Sequence, residues 1–205
     1  MFRSLLSAAL LAVASLSAHA DLVTLPAWDA ANPTIAGVQF NYASAQGMSV
    51  ALGAHPYKSG VTMANDGVST FYAPSGTFAD DGLGRANWSF DFMVDVGVCQ
   101  GCTTHLLIDT DPTSGVHMVD LSAPASTTNN SWNLEMDFLA TLLGYDFDPF
   151  SASSTAFRLE VRDRGGLLKV GTDITVNVPE PGSLALMGAA LVGLVGLRRR
   201  KGKPA

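Results

Sequence analysis

The stretch that decides the fold reads Trp88-Ser89-Phe90-Asp91-Phe92-Met93-Val94-Asp95-Val96. Trp88, Phe90, Phe92, Val94 and Val96 occupy alternate positions, with Ser89, Asp91 and Asp95 between them. Successive side chains of a strand point to opposite faces, so this period of two predicts a half-buried β-strand with one face in a core. Phe157-Arg158-Leu159-Glu160-Val161-Arg162 repeats the pattern, with three apolar residues inward and three charged ones outward. Ile174-Thr175-Val176-Asn177-Val178 predicts a last strand, and residues 38–42, 48–52, 69–72, 106–110 and 116–121 are weaker candidates. Residues 132–138 fit a strand, whereas 134–143 fit a short helix equally well, and the polar run 122–131 reads as a flexible loop. Asn65-Asp66-Gly67, Asp80-Asp81-Gly82, Asp111-Pro112, Asp148-Pro149 and Arg164-Gly165-Gly166 punctuate these pieces with turn chemistry. Many short strands joined by such turns predict an all-β fold, an antiparallel β-sandwich or jelly roll, as one domain over residues 21–177.

Charge is distributed unevenly along the 205 residues. Residues 21–178 hold 17 of the 18 acids but only six of the 12 bases, leaving that part with a net charge of about -11. Nucleic acid is excluded as a partner, because its phosphates require clustered Lys and Arg. Cations suit such a body better.

Both ends are apolar and differ from the body. Met1-Phe2-Arg3-Ser4 precedes an apolar run over residues 5–16, which closes in Ala18-His19-Ala20 before Asp21. One cation, a short apolar stretch and small residues at Ala18 and Ala20 make the three-part pattern of a secretory signal peptide over residues 1–20. Cleavage is expected between Ala20 and Asp21, since about a dozen apolar residues fall short of the roughly 20 that span a membrane. At the other end, residues 183–197 are almost wholly Leu, Ala, Gly and Val, and Arg198-Arg199-Arg200-Lys201 follows, with Lys203 extending the basic stop over residues 198–203. A helix with no polar face does not suit a globular surface, so a single transmembrane helix is expected there. At 1.5 Å per residue it covers only about 20 to 24 Å, a short span. The basic cluster places that end in the cytoplasm and the Asp-rich body outside the inner membrane.

Val178-Pro179-Glu180-Pro181-Gly182, a short Leu/Ala/Gly helix and then the Arg-Arg-Arg-Lys stop resemble the PEP-CTERM sorting signal over residues 178–201. The resemblance implies recognition by exosortase, a membrane-embedded cysteine protease of Gram-negative bacteria that make extracellular polysaccharide. Pro179, Glu180 and Pro181 would then be the recognition element, and Arg198, Arg199, Arg200 and Lys201 the membrane stop. The physics agrees: two prolines hold the segment extended and deny it helix and sheet hydrogen bonds, which leaves it open to a protease. The resemblance carries no activity for the body.

Within the body, Cys99-Gln100-Gly101-Cys102 is the only cysteine pair. In an exported chain a local disulfide after the Trp88 strand is expected. Reactive CxxC pairs open helices rather than join strands. Covalent haem would need His where Thr103 stands, and a zinc set of Cys99, Cys102, His105 and His117 has no recognised spacing. Asp109-Thr110-Asp111-Pro112 offers two carboxylates at a strand end, hard oxygen donors of the kind calcium takes, and Asp109 and Asp111 are the candidate calcium ligands. Solvated turn residues are the competing reading. The chain has neither a GxSxG elbow nor an HExxH pair. His55, His105 and His117 show no recognisable partner in sequence, and Glu160 reads as a surface ion-pair residue beside its arginines.

These features together predict an exported, non-enzymatic envelope or matrix protein. It would pass transiently through the inner membrane to the cell surface or medium, and its body would bind extracellular polysaccharide or play a structural part. The alternative is a secreted hydrolase of envelope glycans, since an Asp-rich chain can supply two carboxylates at hydrolytic spacing.

Overall fold

The computed structural model describes residues 21–25, 37–59, 62–80, 82–113, 115–180 and 182. The expected signal peptide and its cleavage residues Ala18 and Ala20, the apolar segment 183–197 and the basic stop lie outside these residues. Among the described residues no helix is long and apolar enough to cross a membrane.

Among the described residues eleven strands and one helix follow one another. In order they are β1 (Val23–Thr24), β2 (Gln39–Ala45), β3 (Met48–Pro56), β4 (Ala64–Asn65), β5 (Thr70–Tyr72), β6 (Trp88–Asp95), β7 (Thr103–Asp109), β8 (Met118–Pro124), β9 (Thr128–Trp132), α1 (Asp137–Leu143), β10 (Ser153–Arg162) and β11 (Leu168–Val178). They form a five-stranded sheet, β1-β2-β3-β6-β9, and a six-stranded sheet, β4-β5-β11-β10-β7-β8. The sheets share one apolar core. Phe90 of the first meets Phe157 of the second at 4.5 Å between ring centroids, and Trp88 stands edge-on to Phe157 at 6.2 Å. The architecture is therefore mostly β and built of two packed sheets, as the alternating pattern requires.

Strict antiparallel pairing does not hold. β5 lies parallel to β11, with Thr70, Phe71 and Tyr72 opposite Thr175, Val176 and Asn177. About a hundred residues separate these strands, and local pattern carries no information on direction over such a distance.

β6 also departs from expectation, because it is buried on both faces and only Asp95 is exposed. It runs between β3 and β9, and its outward Met93 joins a second apolar cluster with Val38, Phe40 and Ala51. Gly53 makes that cluster possible: a Cβ there would lie 2.7 Å from the Gln39 carbonyl oxygen and 3.0 Å from the Phe40 ring. The expected loop at 122–131 is largely strand, with β8 running to Pro124 and β9 starting at Thr128. β8 and β9 are edge strands, and an edge tolerates polar residues that a central strand does not. The two readings of 132–143 divide at Trp132, where β9 ends. α1 then buries Leu139 and Leu143, one turn apart, and stops at Gly144 in the left-handed conformation (φ 61°, ψ 26°).

Candidate functional site

The sorting segment leaves the body from the end of β11. That strand is held by β10 up to its last residue and by β5 up to Asn177. Val178 is buried opposite Ser153, and the Ala73 N–H donates to the Asn177 carbonyl at 2.9 Å. Pro179 and Glu180 follow at once and are exposed. Proline has no N–H to offer the ladder, so the sheet ends where the motif begins. Gly182 is also exposed. Pro181 lies outside the described residues. The motif is thus presented as exposed chain against a rigid strand end, the form in which a protease takes a peptide by main-chain pairing.

Asp109 and Asp111 sit at the end of β7, on this same end of the six-stranded sheet. Asp109 is buried, and its Oδ1 accepts the N–H groups of Asp111 (3.0 Å) and His117 (2.8 Å). Asp111 Oδ1 accepts the Thr113 N–H at 2.9 Å, and the Thr113 hydroxyl and N–H together hold its carboxyl below the usual range. Both carboxylates therefore fasten their own turn. Among the described residues no three His, Cys, Asp or Glu side chains converge as a metal site. Calcium takes six to eight oxygen donors, and here Oδ1 of each of these two carboxylates is engaged by backbone N–H groups of its own turn.

Cys99 and Cys102 are joined in a disulfide across the β6–β7 turn, with their Cα atoms 5.9 Å apart. Arg164 lies over that turn, against Gly101, where a Cβ would displace its guanidinium. Disulfide sulfurs are not thiolate ligands, and His105 points elsewhere: its Nδ1 is 2.7 Å from Asp120 Oδ2 and its Nε2 is 2.9 Å from Thr103 Oγ1.

Each body histidine has a partner that the sequence did not reveal. His117 Nδ1 is 2.7 Å from Thr110 Oγ1. The most enclosed pair is His55 Nδ1 with Asp91 Oδ2 at 2.7 Å, on strands 36 residues apart. They are 4% and 0% exposed, on the outward face of the five-stranded sheet. Burial raises the Asp91 carboxyl above its usual range, while His55 and then the Ser131 hydroxyl opposite pull it down. Closed off in this way, the pair is out of reach of a substrate. Glu160 corrects a further expectation. It is ion-paired with Arg162 (2.5 and 2.8 Å) but only 5% exposed. The small Gly171 opposite lets its stem lie flat against the sheet.

The described residues also line two concavities. One, of about 440 Å³, lies at the β2–β3 turn and is lined by Tyr42, Gln46, Ser49 and Asp95 among others. The second, of about 120 Å³, opens between the edge strands β8 and β9 and is mostly apolar, with Trp132, Phe92 and Leu121 in its wall.

No curated protein matches the chain. No solved structure matches it either. Residues 177–201 match the family model described as the PEP-CTERM protein-sorting motif. The matched segment begins one residue before the buried end of β11 and contains the exposed Pro179 and Glu180, so the chain carries a PEP-CTERM sorting motif fixed directly to its folded body, consistent with an exosortase substrate.

Proposed function

We propose that this chain is delivered to the cell surface or medium by cleavage within its tail, and that its body then serves as a non-enzymatic binding or structural module of the polysaccharide matrix. The sorting motif implies export and processing by a membrane protease. The signal peptide before Asp21, a periplasmic intermediate held by residues 183–197 and the basic stop are the steps that would bring it there. The observation that carries this reading is the position of Pro179 and Glu180, exposed and free of the sheet immediately after buried Val178. Replacing Pro179, Glu180 and Pro181 with alanine tests it. The variant should stay in the inner-membrane fraction at full length less its signal peptide, and a variant released like the native chain would overturn the reading.

For the body, support comes from the concavity at the β2–β3 turn. Its tyrosine ring, amide, hydroxyl and carboxylate are the groups that stack on and hydrogen-bond to a sugar. Glycan binding by the purified body should weaken in Tyr42→Ala, and turnover of a polysaccharide would favour a hydrolase instead.

A further inference from the structure

The strand that feeds the tail also fixes which end of the body faces the membrane. Val178 is buried and paired, and the apolar run starts at residue 183. Only Pro179, Glu180, Pro181 and Gly182 lie between. Five residue steps reach at most roughly 18 Å when fully extended, and nearer 15 Å in the polyproline form that two prolines favour. The headgroup layer takes up roughly 5 to 8 Å of that distance, from the difference between total and hydrocarbon thickness. With the apolar run inserted, the end of β11 therefore stands within roughly 10 Å of the lipid surface on a polyproline tether and within roughly 13 Å on a fully extended one.

Three apolar side chains stand exposed at that end. Tyr72, last residue of β5 and opposite Asn177, is 49% exposed. Phe150, three residues before β10 and Ser153, is 60% exposed, and its ring stands beside Gly76. Val116, before β8, is 69% exposed. These three follow the strand order β5, β11, β10, β7, β8, so the tail emerges between two exposed aromatic side chains. Aromatic rings at headgroup level are the usual anchors of a membrane-inserted chain.

We propose that Tyr72, Phe150 and Val116 form a membrane-resting rim, which seats this end of the sandwich in the headgroup layer while the tail is inserted. The proposal rests on the reading of residues 183–197 as a membrane segment. Its occupant is a lipid surface, because the tether length brings the rim to lipid whatever protein acts on the motif. Asp109, Asp111, Asp146 and Asp148 cluster at the same end, around Tyr145, so this end carries negative charge beside its exposed apolar side chains and suits zwitterionic lipid rather than anionic lipid. At the opposite end Val98, Leu167 and Leu168 are also exposed, and the tether holds them away from the bilayer.

The test uses the full chain, with and without residues 1–20, in phosphatidylcholine vesicles. An environment-sensitive fluorophore is attached to Phe150→Cys or, as the distal control, to Leu167→Cys. The label at 150 should shift to the blue and be quenched by lipids carrying a nitroxide near the headgroup, whereas the label at 167 should do neither. Flotation of the vesicles separates the two claims. If the chain does not float, the membrane reading of the tail fails. If it floats and the label at 150 remains aqueous, the rim fails alone. Protection of position 150 only when the sorting protease is added would make the rim a protein-docking surface and overturn the lipid proposal.

Discussion

His55 Nδ1 lies 2.7 Å from Asp91 Oδ2, and both residues are buried although they stand on the outward face of their sheet. Gly53, the residue opposite Asp91, leaves room above the strands for the Phe40 ring, and the outer cluster it belongs to keeps this face of β6 dry. A carboxyl so enclosed depends on its few partners, His55 first and then the Ser131 hydroxyl. His55→Ala should cost about 1–3 kcal/mol, the penalty for a buried polar group left unsatisfied. Asp91→Asn should cost less, since its amide oxygen still accepts from the imidazole. The pH dependence separates the variants. Burial raises the Asp91 pKa, so stability from this group is full below the ordinary carboxylate range near 3.8 and is lost as pH rises through the raised value. Denaturant unfolding between pH 4 and pH 8 should show that falling limb in the native chain, a steeper one in His55→Ala and none in Asp91→Asn.

Asp66 acts in the opposite sense. Its Oδ1 accepts the N–H groups of Val68, Ser69 and Thr70, each at 2.9 Å, in the turn between β4 and β5. The backbone N–H groups of Thr70 and Val68 are the main cause that lowers its pKa from 3.8 to about 2. A depressed carboxyl stabilises above its unfolded pKa, and that contribution fades as pH falls from about 4 toward 2. Asp66→Ala should cost about 1 kcal/mol at neutral pH, a figure discounted for solvent screening of an exposed group. The difference from the native chain should vanish near pH 2 in thermal unfolding followed by circular dichroism.

How far such sites were legible depended on how local they are. β6 and β10 announced themselves, because Trp88, Phe90 and Phe92, like Phe157, Leu159 and Val161, alternate within one strand. β9 did not, because Thr128-Asn129-Asn130-Ser131 is as polar as a loop and becomes a strand only by pairing with β6. The His55–Asp91 pair required the β3–β6 register, in which His55 faces Ser89 and Gly53 faces Asp91. Nothing within either strand encodes that register. The sorting tail was legible in full because every one of its elements is contiguous.

The cysteine pair closes a very short loop, which limits its effect on stability. For about four residues the chain-entropy relation gives about 2 kcal/mol. Cys99→Ala with Cys102→Ala should lower stability by about that amount or less without changing the fold. In protein recovered from periplasm or medium, neither thiol should alkylate before reduction. Free alkylation of both would show that the exported form does not carry the bond between Cys99 and Cys102.

The central claim is that the body is cut from its tail between the end of β11 and the apolar run. Cleavage before Val178 would require unpairing a residue that is buried against Ser153, whereas Pro179, Glu180 and Gly182 stand exposed. The direct measurement is the intact mass of the extracellular form. The account predicts a chain that starts at Asp21 and ends between residues 179 and 183. An extracellular form that still ends at Ala205 would contradict it.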